Sequence, residues 1–251
     1  MTTAIILAAG EGSRLRPHTL RRPKCQVKVQ GKEMIEYQLD ILSKQCTDII
    51  IVGGYLSESL RKYKLPLIVN NEYKRTNMVY SLYCAGEAVL DKNDDLIITY
   101  GDIIYSPEHI EKLIAFSDGD FVTINNVGWE SYWSQRQVDI LSDAETFQID
   151  ESDRLIELGK PLKSVNSANG QFTGLIKCTK YGTKILFNEI DRLMNDNSID
   201  KNMYMTDLLM HLISKGLAID TLPVDGNWLE IDTDQDLNFC NDVAKVTLPY
   251  V

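Results

Sequence analysis

The stretch Leu7-Ala8-Ala9-Gly10-Glu11-Gly12-Ser13-Arg14-Leu15-Arg16-Pro17-His18-Thr19, closed by Pro23-Lys24, decides how this chain is read. It follows a short strand-like run, Thr3 to Leu7, and sets two glycines, Arg14, Arg16, Arg21 and a lysine into an otherwise acidic protein. Glycine lets a loop take up positive φ and bring backbone N–H groups close to a ligand. Successive N–H groups form a concave nest that suits phosphate oxygens. Arg14 would add a planar charged fork and Lys24 a point charge. A flexible surface turn with solvated basic residues is the plainer reading, but strand, glycines and charges stand in the order a phosphate loop needs. Neither common phosphate loop is present: there is no G-x-x-x-x-G-K-[ST], and no third glycine completes G-x-G-x-x-G.

The apolar run before this loop has the character of a buried parallel strand. The same signal recurs at Asp48 to Val52, Leu67 to Val69, Leu96 to Thr99 and Phe121 to Ile124. Helical spacing fills the intervals, at Glu33 to Lys44, Leu56 to Tyr63, Met78 to Leu90 and Pro107 to Phe116. This alternation predicts an α/β fold with a doubly wound, mostly parallel, Rossmann-like sheet. Ligands of such sheets lie beyond the carboxyl ends of the strands, so the loop from Gly10 and the pair Gly101-Asp102 should share one cleft.

After Asn125 the pattern changes. Glu145 to Asp150 and Arg154 to Leu158, separated by Glu151-Ser152-Asp153, read as a hairpin, and Gln171 to Cys178 as a further strand; together they predict a smaller β-rich insertion packed against the sheet. Helices follow at Tyr181 to Met194 and Tyr204 to Lys215, then a strand at Leu217 to Leu222 and a closing helix from Gln235 to about Val243. Without repeats, low-complexity tracts or a linker, residues 1–251 are expected to form a single domain.

Composition narrows the class. The apolar and charged fractions, 44% and 25%, are those of an ordinary globular protein, and no apolar run approaches the ~20 residues of a spanning helix. A formal charge of -10 argues against nucleic-acid binding, which needs an exposed basic face. The five cysteines are odd in number and far apart, and the three histidines are scattered. They suggest reduced thiols in a cytoplasmic protein rather than a zinc site or a disulfide framework.

The pattern L-A-A-G-x-G-x-R-L-x-P-x-T-x-x-x-P-K resembles the signature of nucleotidyltransferases that activate sugar phosphates and small phosphorylated alcohols. Val52-Gly53-Gly54-Tyr55, Asn70-Asn71, Thr76-Asn77-Met78-Val79-Tyr80-Ser81-Leu82, Tyr100-Gly101-Asp102, Glu157-Leu158-Gly159-Lys160 and Trp228-Leu229-Glu230-Ile231-Asp232 extend the likeness. Together they look like the phosphocholine cytidylyltransferase branch, which includes relatives using phosphoglutamine or aminoalkylphosphonates. The runs Asp143-Ala144-Glu145-Thr146, Gln171-Phe172-Thr173-Gly174 and Met203-Tyr204-Met205-Thr206-Asp207 look nearer to the phosphoglutamine type.

The resemblance implies a Mg2+-dependent transfer of a cytidylyl group from CTP to a small phosphorylated acceptor, with release of pyrophosphate, for surface polysaccharide modification by a monomer or homodimer. It divides the domain into a nucleotide-binding half, 1–125, and an acceptor-binding, metal-completing half, 126–251. It also implies that Asp102 and Asp232 bind the metal. Chemically this is sufficient, because Mg2+ needs only one or two carboxylates plus phosphate oxygens and water. As alternatives, Asp102 could cap a helix or turn, and Asp232 the last helix, with Asp234 and Asp236 as rivals. A phosphomonoester has a second pKa of about 6, so its oxygen is already anionic and needs no general base. Arg14 and Lys24 would balance the charge on the reacting phosphates.

For the nucleotide, the expected contacts are Leu7, Ala8, Ala9, Gly10, Gly12, Ser13, Arg14, Gly53, Asn77, Ser81 and Asp102, with Ser81 either reading the base or serving as a plain helix residue. For the acceptor, Lys160 looks like the residue that holds the phosphate, against a solvated-surface alternative. Trp129, Trp133 and Trp228 with Glu230 could cage a quaternary ammonium, and Arg136 could pair with an α-carboxylate. Trp129 and Trp133 could equally pack at i and i+4 into the core. Two rival functions remain: a sugar-1-phosphate nucleotidyltransferase, although the E-K-P segment of that branch is replaced by Glu157-Leu158-Gly159-Lys160, and a non-catalytic nucleotide-sensing subunit.

Overall fold

The computed structural model describes residues 1–136, 141, 144–196 and 201–247. Strand β1 (Thr2–Ala8) runs into the glycine loop; a short hairpin, β2 (Lys28–Val29) and β3 (Lys32–Glu33), leads to helix α1 (Met34–Gln45). Then come β4 (Asp48–Gly53), β5 (Leu67–Val69), α2 (Met78–Cys84), α3 (Gly86–Lys92), β6 (Asp95–Tyr100), β7 (Ile103–Tyr105), α4 (Pro107–Ala115) and β8 (Phe121–Asn126). The remainder holds α5 (Trp129–Gln135), β9 (Glu145–Ile149), β10 (Leu155–Pro161), β11 (Gln171–Cys178), α6 (Lys180–Asn195), α7 (Met205–Ser214), β12 (Asp220–Val224), β13 (Trp228–Glu230) and α8 (Asp234–Thr247).

Seven strands form one sheet in the order β12-β8-β11-β6-β1-β4-β5. All run parallel except β11, which is antiparallel to both β6 and β8. Side chains of β1 alternate between two cores: Ala4, Ile6 and Ala8 join one cluster, Ile5 and Leu7 the other. Helices α1, α4, α5 and α8 cover the first face, while α2, α3, α6 and α7 cover the second. A strand buried on both faces has no polar side to alternate, which is why its sequence is continuously apolar.

Several elements differ from the expectation. Gln171–Cys178 does not belong to a separate insertion but fills the gap between β6 and β8 in the main sheet, leaving β9 and β10 as an independent hairpin. The predicted strand at Leu217 to Leu222 shifts to Asp220–Val224 and includes Pro223, which is tolerated because β12 is an edge strand. The helix expected over Met78 to Leu90 breaks at Ala85, where Gly86 passes close to the ring of Phe187. Leu56 to Tyr63 becomes a 3-10 helix from Ser57. The ribbon of β7 with β13 has no counterpart in the sequence reading. Asp143 of the run 143–146 lies outside the described residues. No described helix is long and apolar enough to cross a membrane.

Candidate active site

Because β1 and β6 are adjacent and parallel, their carboxyl ends deliver the glycine loop and Asp102 to the same edge of the sheet. The turn after β6 is tight: Gly101 N–H donates to Leu7 O at 2.9 Å, and a Cβ on Gly101 would lie 3.0 Å from Ala8 Cβ. A side chain there would have to push Ala8 or Leu7 back by a few tenths of an ångström. Asp232 arrives from the far end of the chain. Glu230 pairs with Ile103 in the β13–β7 ribbon, and Ile231 N–H donates to Asp102 O at 3.1 Å, so the two aspartates emerge side by side.

The loop itself folds over Gly12, whose φ of +58° belongs to the left-handed region. A Cβ there would meet Lys24 Cβ at 3.0 Å. Gly12 thus packs on the Lys24 stem rather than lining a cavity, and Ser13 begins a 3-10 turn anchored by buried Leu15. Lys24 then reaches between the carboxylates: its ammonium lies 2.7 Å from Asp102 Oδ2 and also donates to Asp232 Oδ1. Arg14 Nη2 stands 3.0 Å from Asp232 Oδ2. Burial disfavours the Lys24 charge, yet the two carboxylates outweigh it and hold the ammonium above the ordinary lysine pKa. Burial would raise Asp232 too, but Lys24 and Arg14 keep it below the usual carboxylate range.

Neither aspartate acts as a helix cap. Thr233 and Asp236 cap α8 reciprocally: Asp236 Oδ2 accepts the Thr233 N–H at 2.8 Å, and Thr233 Oγ1 accepts the Asp236 N–H at 3.2 Å. Asp234 turns away to His18 at 2.7 Å. Helix α4 starts at Ser106-Pro107, clear of Asp102.

Two cavities meet at this cluster. The first is lined by Leu7, Ala8, Ala9, Gly10, Lys24, Asn77, Ser81 and Asp102, as the sequence suggested, and also by Tyr73, Thr76, Met78, Tyr100 and Gly101. Thr76 and Met78 belonged to a quoted run, but nothing in it distinguished their roles. Asn77 caps α2, its Oδ1 accepting the Met78 N–H at 2.9 Å. The second cavity shares Met78 and Tyr100 with the first and is lined by Arg14, Trp133, Glu230 and Asp232, together with Glu145, Gln171, Phe172, Tyr204 and Thr206. Burial, reinforced by Asp232 and Asp102, raises the Glu230 carboxyl to about 8.

Besides Gly12 and Ser13, five further sequence-predicted residues line neither cavity. Gly53 ends β4 and packs on Ser57 and Leu60, away from both cavities. Trp129 and Trp228 sit in the core. Trp228 Nε1 donates to Thr173 O at 2.9 Å, and its ring stacks on Trp133 at 6.0 Å and 8°. Trp129 and Trp228, 2% and 1% exposed, line neither cavity, whereas Trp133 lines the second. Arg136 is likewise internal, pairing with Asp236 at 2.8 Å beneath the Asp232 turn. Lys160 is solvent-exposed and lines neither cavity, although the adjacent Gly159 packs on Thr206 of the second cavity's wall; the Lys160 ammonium pairs with Glu157.

The likeness to known proteins agrees with this architecture. The family model for the MobA-like NTP transferase domain matches residues 4–162. A CTP:phosphoglutamine cytidylyltransferase of Campylobacter jejuni is 37% identical over 247 residues, covering 93% of this chain and 97% of that protein. A choline-phosphate cytidylyltransferase of Streptococcus pneumoniae is 48% identical over 89 residues, 34% of this chain and 39% of that one. The solved CTP:phosphocholine cytidylyltransferase from Streptococcus pneumoniae shares the fold, with a TM-score of 0.75 at 24% identity over 97% of this chain and 99% of that chain. The family model spans more than half of the chain, and the Campylobacter relative nearly all of it; the chain therefore belongs to the MobA-like NTP transferase family and is a nucleotidyltransferase.

Proposed function

We propose that the chain transfers the cytidylyl group of CTP to the phosphate of a small phosphorylated acceptor of the phosphoglutamine or phosphocholine kind. The observation that carries this reading is the meeting of two cavities at Arg14, Lys24, Asp102 and Asp232. One cavity takes the nucleoside and the other the acceptor, so that the α-phosphate and the incoming phosphate converge on the charged cluster. An acceptor phosphate oxygen forms a new bond to the α-phosphorus, the α–β bridging P–O bond breaks, and pyrophosphate leaves. The attacking oxygen is already ionised, so no side chain removes a proton. Lys24 and Arg14 offset the negative charge that gathers as the phosphates approach. Lys160 would leave Glu157 to reach the acceptor phosphate.

Asp102 and Asp232 would hold Mg2+. The fit rests on Asp102 Oδ1, a buried carboxylate oxygen without a hydrogen-bond partner, beside a second carboxylate. Two carboxylates would suffice for a hard cation that draws its remaining ligands from phosphate and water. When bound, it would polarise the α-phosphoryl group and neutralise charge on the reacting oxygens. The five cysteines form no disulfide, in keeping with a cytoplasmic enzyme whose CDP-linked product would serve surface polysaccharide modification.

The test is pyrophosphate release from each nucleoside triphosphate with phosphoglutamine, phosphocholine, 2-aminoethylphosphonate and sugar 1-phosphates, with Mg2+ and after chelation. Release with CTP and one of the first three, lost on chelation, is the expected result. Turnover confined to sugar 1-phosphates, or undiminished by chelation, would refute the acceptor or the metal assignment respectively.

A further inference from the structure

We propose that Asn70, which stands behind the wall of the first cavity, sets the base preference by fixing the direction of two hydroxyl groups; this inference rests on the cytidylyl reading above. Asn70 follows β5 and is wholly buried. Its amide has one orientation. Oδ1 accepts the Glu72 N–H at 2.9 Å, and a backbone N–H can only donate. Nδ2 therefore faces the cavity wall, donating to Thr76 Oγ1 and Ser81 Oγ at 3.0 Å each. Both hydroxyl residues line the cavity; Asn70 does not.

The protons of the two hydroxyls then have unequal freedom. Thr76 donates its own to Glu72 O at 2.9 Å, so a ligand meets only its remaining lone pair. Ser81 also accepts from Asn70, and its proton has a single acceptor among the described residues, Asn77 O at 3.4 Å. That oxygen already accepts the Ser81 N–H at 3.1 Å. The weak bond is easily given up. The wall thus presents an acceptor beside an available donor.

Cytosine complements this pair. Its N3 accepts a proton and its neighbouring N4 amino group donates one, whereas uracil carries N3–H and O4 in the same places with the roles reversed. Uracil there would set O4 against the Thr76 lone pair with no proton between them, an unpaired polar contact in a confined site. Asn70 is accordingly a positioning residue: it acts on the base through Thr76 and Ser81 without touching it.

The experiment compares CTP with UTP. Asn70→Asp keeps the Glu72 anchor but replaces the donor by an acceptor, drawing the hydroxyl protons away from the cavity. Its ratio of kcat/KM for CTP over UTP should fall by roughly tenfold or more, through the nucleotide KM, with the acceptor KM unchanged. Thr76→Val removes the acceptor for N4 without burying a charge and should lower the same ratio. Competition of CTP and UTP at equilibrium gives the ratio without turnover, and melting curves establish that each variant is folded. A wild type that prefers CTP, with a ratio that survives in both folded variants, overturns the inference and leaves the cytidylyl reading intact. A wild type that takes UTP as well as CTP overturns that reading and this inference with it.

Discussion

Arg136 Nη2 lies 2.8 Å from Asp236 Oδ1, and both side chains are almost wholly buried, at 3% and 1% exposure. The pair is not isolated from the chemistry. The other oxygen of Asp236 accepts the backbone N–H groups of Asp232 and Thr233, at 3.1 and 2.8 Å. An internal arginine therefore holds an internal aspartate, and that aspartate fixes the turn presenting Asp232 to Lys24. Arg136, which the sequence suggested for ligand binding, supports the site from beneath.

Replacing Arg136 with Met should strand the Asp236 carboxylate in the core and cost about 3–5 kcal/mol of stability, read from urea unfolding. Adding Asp236→Asn should recover part of that loss, because the charge requiring a partner is gone. Equal stability of Arg136→Met and wild type would show that the pair carries no weight.

Asp102→Asn and Asp232→Asn keep the side-chain shape and remove a charge from the cluster. Each should lower turnover by about 10^3-fold or more while the melting temperature stays within a few degrees of wild type. Retained activity in either variant would remove that residue from the metal assignment.

The two loop glycines should respond differently. Alanine at Gly12 must adopt a φ of +58° and place its Cβ 3.0 Å from Lys24 Cβ, costing about 1–2 kcal/mol and displacing Lys24, so activity falls with stability. A Cβ at Gly10 meets nothing within 4 Å. Gly10→Ala should melt like wild type, and a comparable loss of stability there would contradict the packing described.

His109 gives the protein an acid-sensitive point away from the site. Burial depresses its ring from an ordinary 6.5 to about 4, so between these values the unfolded chain binds a proton that the native chain does not. Its contribution is complete above pH 6.5 and declines as pH falls toward 4, by at most roughly 3 kcal/mol. Denaturant unfolding at pH 7 and pH 5 should show the decline, and His109→Gln should flatten it.

Local pattern alone determined much of this protein. The apolar run into β1, the strands that repeat it and the helical spacings between them specified an α/β sheet, because a strand buried on both faces and a helix buried on one leave different periodicities. Residue type and spacing also singled out Gly10, Gly12, Arg14 and Lys24; the structure brings Gly10 and Lys24 to the first cavity and Arg14 to the second, with Gly12 packed on the Lys24 stem.

Only the tertiary structure decided which residues meet. The β7–β13 ribbon, three residues on each side, brings Asp232 beside Asp102, and such a short pairing between distant segments has no periodic signature. Strand β11 lies between β6 and β8 in the main sheet, a pairing between distant segments that no local rule reveals. Trp129, Trp228 and Arg136 have the chemistry of ligand-binding groups, yet their surroundings made them core and support. Whether an aromatic ring or a guanidinium faces a ligand depends on what covers it, and cover is supplied by residues far away in the chain.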